Sequence, residues 1–305
     1  VRYLLALVAL ILAGLGAGCS GGPGQTNPAE AAIATNKPSL SFDNIILTES
    51  DQQGRGQLWE LKAKRAEYSR DGKVAVVTGI EGAFFEDGIK TLLVKATKGQ
   101  IQTEARVIVL SGVVVARSVQ RKVYFTTPEL RWLPDQDRVE ATGGVTLTDP
   151  VQGIIVKGER MEGDLAGDLL NLSGKVTATQ PKRNVVLTAT TARWQVEQGQ
   201  IQAQTVTVQD PVSRLQAPVL DWNLKAQTLI ANQGMAYQHQ TPRQDLTATT
   251  ARWDQPQNLL TVSGNVDYRQ GQVRVQGNSA VADLKAGTVQ IKGQVRTSLE
   301  TLALK

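Results

Sequence analysis

The chain has 305 residues, 41% hydrophobic and 20% charged, enough for one long all-β unit or two ordinary domains and too evenly mixed for a disordered polyelectrolyte. The net charge of +5 is scattered, with no Lys/Arg run longer than two, which argues against a nucleic-acid-binding stripe. One histidine and one cysteine exclude an intrachain disulfide and leave any triad or histidine-based metal site resting on a single residue.

The first segment carries an export signal. Arg2 precedes an apolar run from Tyr3 to Leu15, and the small residues Gly16, Ala17 and Gly18 stand before Cys19. A short positive region, an apolar stretch and a small-residue cleavage site form a secretory pattern. A span from Tyr3 to Cys19 is near the lower limit for crossing a bilayer, so an uncleaved anchor stays open beside cleavage and plain secretion. The run into Cys19 also resembles the lipobox of bacterial lipoproteins, which implies acylation of that cysteine. It departs from the pattern in placing Gly16, not leucine, three residues before Cys19. Residues 1–19 are thus expected to be a signal or anchor, and residues 20–38, rich in Gly, Pro, Ala, Asn and Thr, a flexible tether.

Within an expected single unit of residues 39–300, nearly everything after residue 60 repeats itself. An apolar residue with a small one two places later recurs at Leu61, Val94, Phe125, Val156, Leu187, Leu215, Leu246 and Val275. The small partners include Ala63, Ala96, Ala189, Ala217 and Ala248. Seven places after each anchor stand Tyr68, Ile101, Trp132, Gly163, Trp194, Trp222, Trp253 and Ala282. Eighteen places after it comes Gly79, Gly112, Gly143, Gly174, Gly264 or Gly293, with Thr205 and Gln233 in the remaining two units. Leu187 to Trp194 and Leu246 to Trp253 are identical over their whole length.

Each unit reads as two alternating strands separated by turns rich in Asp, Gly, Asn and Pro. Tight turns imply an antiparallel meander, because parallel pairing needs long crossovers. The alternation changes parity within each strand, near the repeated glycine in the second strand of each unit. Glycine inside a strand commonly marks a bulge or bend. If all strands bend at one level, the sheet folds over and its two walls face each other. The expectation is a single all-β, folded-over antiparallel β-jellyroll of about eight two-strand repeats, open at both ends and up to roughly 75 Å long. Its inward positions would line an apolar trough: Leu61, Ala63, Tyr68, Val94, Ala96, Ile101, Phe125, Trp132, Val156, Leu187, Ala189, Trp194, Leu215, Trp222, Leu246 and Trp253. Arg131, Arg193 and Arg252, each beside an inward tryptophan, should face the other way. Strand edges near residues 40–48 and 288–297 should be free to pair with other sheets.

These residues resemble a known family. The segment from Gln57 to Tyr68 is similar to the first core motif of the LptC family of periplasmic lipopolysaccharide-export proteins. Val156-Lys-Gly-Glu-Arg-Met and Leu260-Thr-Val-Ser-Gly-Asn-Val266 look like repeats of the related LptA, or OstA-like, family. The resemblance implies a non-enzymatic lipid carrier that holds the acyl chains of lipopolysaccharide in the trough. It implies an inner-membrane anchor, an ABC transporter's membrane subunits at the N-terminal edge, and an LptA-like or outer-membrane LptD-like jellyroll at the C-terminal edge. LptC proteins are usually shorter, so the chain reads as an LptC-like start extended by LptA-like units.

An enzyme is not expected. His239 is the lone histidine, no phosphate-cradling glycine loop is present, and no catalytic residue, cofactor or metal is assigned. The alternative is an envelope scaffold or surface adhesin of β-repeats without lipid cargo. It requires a packed interior where a carrier requires accessible apolar space.

Overall fold

A computed structural model describes residues 40–50, 56–86, 88–119, 123–136, 138–150, 153–164, 169–180, 184–195, 198–283, 285–286 and 288–299. The signal or anchor segment, Cys19 and the expected tether lie outside the described residues. No helix among those described is long and apolar enough to cross a membrane. The fold is all-β, with twenty strands in one sheet and antiparallel pairing.

Two compact units divide the chain. The N-terminal unit contains β1 (Leu40–Ser50), β2 (Gln57–Tyr68), β3 (Val74–Glu86), β4 (Ile89–Gln102), β5 (Val107–Ser118), β6 (Tyr124–Leu133) and β7 (Arg138–Asp149). Its ladder runs in sequence order from β1 to β7. Strand β8 (Ile154–Gly163) has its first residues grouped with the C-terminal unit and its last with the N-terminal one.

The C-terminal unit holds β9 (Leu169–Gln180), β10 (Val185–Gln195), β11 (Gln200–Gln209), β12 (Ser213–Asn223), β13 (Thr228–Asn232) and β14 (Met235–Gln240). It continues through β15 (Arg243–Ala248), β16 (Thr250–Asp254), β17 (Leu259–Gln270), β18 (Val273–Asp283), β19 (Thr288–Lys292) and β20 (Arg296–Leu299). The pairs β13/β14, β15/β16 and β19/β20 are single strands of the repeat, split where they bend. Strand β12, for example, pairs with β13 along one half and with β14 along the other.

Burial shows the bend directly. In β2 the buried residues are Trp59, Leu61 and Ala63, then Ala66; in β12 they are Ser213, Leu215 and Ala217, then Leu220. A step of three in an otherwise two-residue period moves the inward face across the pleat. In the second strands left-handed backbone marks the bend at Gly79, Gly112, Gly143, Gly174, Gly264 and Gly293. The buried residues flanking it are three apart in β3 (Val77, Ile80) but four apart in β5, β7, β9 and β17, as with Leu110 and Val114, where the ladder carries a bulge. Thr205 (φ 52°) and Gln233 (φ 63°) adopt the same conformation where two units lack the glycine, and Asn44 (φ 53°) does so in β1. These side chains are held where L-residues are disfavoured, since repetition fixes the bend whatever residue occupies it.

First-strand residues cover these bends. A Cβ at Gly112 would lie 2.9 Å from Thr97 Cβ, and one at Gly264 would lie 2.7 Å from Thr249 Cβ. The covering hydroxyls also supply hydrogen bonds, Thr249 Oγ1 donating to Gly264 O at 3.1 Å and Thr190 Oγ1 to Gln204 O at 3.1 Å.

Candidate functional site

The ladders place the repeat positions in two inward rows within each unit. In the N-terminal unit one row runs Leu47, Leu61, Gly82, Val94, Ala116, Phe125, Leu147 across β1 to β7. The other, beyond the bend, runs Leu40, Tyr68, Ala75, Ile101, Ile108, Trp132, Val139. The first row belongs to an anchor-side wall and the second to a tryptophan-side wall, folded onto each other.

The C-terminal unit repeats this arrangement. Its anchor-side row is Ala178, Leu187, Val208, Leu215, Tyr237, Leu246, Tyr268, Val275, Thr297. Its tryptophan-side row is Leu170, Trp194, Ile201, Trp222, Leu229, Trp253, Leu260, Ala282, Val289. Trp194, Trp222 and Trp253 stand on alternate strands, about 10 Å apart along the unit at the usual strand spacing.

Each residue read as inward can therefore be placed. Leu61, Ala63, Val94, Ala96, Ile101, Trp132, Leu187, Ala189, Leu215, Leu246 and Trp253 are buried. Tyr68, Phe125, Val156, Trp194 and Trp222 are half-buried. Arg131, Arg193 and Arg252 are exposed on the outer face.

The walls touch. Phe84, on the anchor-side wall of β3, meets Trp132 of β6 edge to face, with ring centroids 4.8 Å apart. Leu61, Ile80, Leu110 and Leu130 are buried in the same unit, so among the described residues this part of the N-terminal interior is a packed core. The rims of the same walls are bridged by charge. Glu49 beside the anchor-side row accepts from Arg106, whose Nη2 lies 2.6 Å from Oε1, and from Trp59 Nε1 at 2.8 Å. Arg106 sits in the β4–β5 turn of the opposite wall and also pairs with Asp135 at 2.7 Å.

In the C-terminal unit a cavity of ≈ 40 Å³ lies between the walls. Leu246 and Tyr268 line it from the anchor side, and Leu260, Ala282 and Val289 from the tryptophan side. Burial pushes the Tyr237 and Tyr268 phenols, both on the anchor-side row, above their ordinary pKa. Among the described residues no group of His, Cys, Asp and Glu is placed to hold a metal ion.

Residues 5–181 match the family described as lipopolysaccharide-assembly, LptC-related. The chain belongs to that family. The LptC-related region covers β1 to β9, and the same two-row pattern continues through β20 beyond it. Among solved structures the chain is similar to LptH, the LptA-homologous periplasmic component of the lipopolysaccharide transport device of Pseudomonas aeruginosa. That similarity is 12% in sequence, covers 38% of this chain and 95% of LptH, and has a TM-score of 0.34. A search of curated proteins finds no match.

Two features of this LptC-related interior escape a reading by apolar anchors. The indole Nε1 atoms of Trp132, Trp194 and Trp253 are buried with no hydrogen-bond partner, so the tryptophan rows carry unused donors as well as apolar surface. The second is Gln244, buried with neither amide atom partnered. Its signal lies two places before each anchor, where the sequence has Trp59, Leu92, Val123, Ile154, Val185, Ser213, Gln244 and Val273. Only Ser213 and Gln244 are polar there.

Strands at the ends have a single described neighbour. Strand β1 pairs with β2, and β19 and β20 pair with β18. Leu40 (57% exposed) and Leu299 (76%) are apolar on these edges.

Proposed function

We propose that the chain carries the acyl chains of lipopolysaccharide between its two walls and passes them along the periplasm without chemistry of its own. The reading rests on one observation: repeat-register apolar rows line a folded-over interior in a member of the LptC-related family. Leu61, Val94, Phe125, Leu187, Leu215 and Leu246 would meet the chains from one wall, and Tyr68, Ile101, Trp132, Trp194, Trp222 and Trp253 from the other. Ala63, Ala96, Ala189 and their counterparts leave room beside the bend.

Loading parts the walls, since Phe84 and Trp132 touch. An acyl chain gains about 0.8 kcal/mol per buried methylene, roughly 8 kcal/mol for ten. Separating two or three inward side-chain contacts costs a few kcal/mol against this, as each fully buried large side chain is worth about 1.5–3 kcal/mol. Near balance between cargo and side-chain packing suits a carrier that must release what it takes up.

The chain is read as anchored to the inner membrane through Cys19 or the segment before it. The β1 edge would receive cargo from the membrane subunits of an ABC transporter. The β19–β20 edge would hand it to an LptA-like or LptD-like jellyroll by strand addition.

One observation favours a lipid-free envelope scaffold instead, namely the contact between walls at Phe84 and Trp132. Titrating the purified full chain with lipopolysaccharide separates the two. A carrier gives a saturable change in tryptophan emission and a rise in unfolding temperature that grows with ligand. A scaffold gives neither.

A further inference from the structure

The cavity in the C-terminal unit is lined by apolar side chains including Leu260, Ala282 and Val289, with Tyr268 and Gln244 as the polar members. Gln244 is 1% exposed, and neither Nε2 nor Oε1 has a hydrogen-bond partner among the described residues. Its neighbours in the same row are provided for. Ser213 Oγ accepts from the Tyr237 hydroxyl, and His239 Nδ1 lies 3.0 Å from Pro242 O. A buried amide with two donors and an acceptor left idle is costly, and native structures rarely keep one without a reason.

The fold does not demand a polar residue here. The corresponding position is Trp59 or Val185 in other units, both buried. Water is a poor occupant, because buried water commonly has about three polar partners. The lining side chains offer Gln244 and the Tyr268 oxygen, whose proton is donated to Gln270 Oε1 at 2.9 Å and which is left only to accept. An amphiphile that parts the walls on loading meets both needs, with its tail on the apolar lining and a polar linkage at Gln244. The resting cavity of ≈ 40 Å³ holds no acyl chain until the walls part. Trp253, packed on the lining residues Leu260 and Ala282, adds a second buried donor without a partner at this end. The cavity adjoins the terminal strand through Val289, which is 47% exposed, so a chain has a way in.

We infer that Gln244 reads the linkage of an acyl chain and selects amide-linked over ester-linked chains. An amide presents both a carbonyl oxygen for Nε2 and an N–H for Oε1, whereas an ester presents only the acceptor. This rests on the proposal that the interior carries acyl chains, and names which chains its C-terminal end prefers.

The test compares two probes that differ by one group, N-(2-hydroxyethyl)dodecanamide and 2-hydroxyethyl dodecanoate, binding to the full chain by calorimetry. Wild type should bind the amide five- to tenfold more tightly. Gln244→Leu should bind both alike and unfold at or above the wild-type temperature, because it removes an unpartnered amide. A Gln244→Leu chain that keeps the amide preference, or a wild type that binds lipopolysaccharide but shows no preference, overturns the inference and leaves the carrier reading standing. A folded wild type that binds neither probe nor lipopolysaccharide overturns both.

Discussion

The bend line offers a quantitative test of how the repeats fold. Gly264 has φ 76°, and a Cβ there would lie 2.5 Å from Thr249 Oγ1 and 2.7 Å from Thr249 Cβ. Gly144 has φ 105°, and a Cβ there would meet nothing within 4 Å. Gly144→Ala therefore meets backbone strain alone, about 1–3 kcal/mol for an L-residue held at a sparsely populated positive φ. Gly264→Ala adds a clash with a branched residue held by its own bond to Gly264 O, and overpacking of this kind costs about 1–3 kcal/mol more. Thr205→Gly works in the opposite direction. It relieves a β-branched residue at φ 52° but gives up about 0.5–1 kcal/mol of chain entropy, for a net gain of about 0.5–1 kcal/mol. Urea unfolding followed by circular dichroism ranks the three. The expected order of midpoints is Thr205→Gly, wild type, Gly144→Ala, Gly264→Ala. Equal midpoints for the two alanine variants would refute the idea that bends are covered by first-strand side chains.

Three further outcomes are expected. Arg106→Ala should cost about 1–2 kcal/mol, between the surface and buried limits for ion pairs, and hasten amide exchange in β1. A double-mutant cycle with Glu49→Gln should return part of that as coupling, the rest belonging to the Arg106 pair with Asp135. The Arg274 guanidinium bonded to Asp267 holds that carboxyl below its ordinary pKa, so its stabilisation is fully present above the unfolded-state pKa near 3.9. It is lost as pH falls through the lower folded value, and Arg274→Gln should flatten the acid limb of the thermal stability profile. Ultraviolet titration of the folded chain should show Tyr237 and Tyr268 ionising later than exposed tyrosines, the two groups becoming ordinary on unfolding.

Much of this architecture is legible in the sequence because it repeats. Anchor, small residue, aromatic and glycine recur at fixed offsets, and the ladders put them into rows as that spacing requires. Thr205 and Gln233 show that position in the repeat outweighs residue type, since both take the glycine conformation. What stayed hidden depends on pairs without a fixed offset. Phe84 and Trp132 meet across the fold, and Glu49 and Arg106 meet over 57 residues, so no period announces them. The idle indole donors are invisible for another reason. Tryptophan in an inward column reads as apolar surface, and only the surroundings show whether its N–H finds an acceptor.

Whether cargo enters between the walls is the point on which the account turns. Photoreactive residues placed at Trp194 and at the neighbouring outward Arg193, irradiated in cells, address it directly. The account predicts a lipopolysaccharide adduct at Trp194 and none at Arg193. An exported, folded chain with no adduct at Trp194 would contradict it and favour the scaffold.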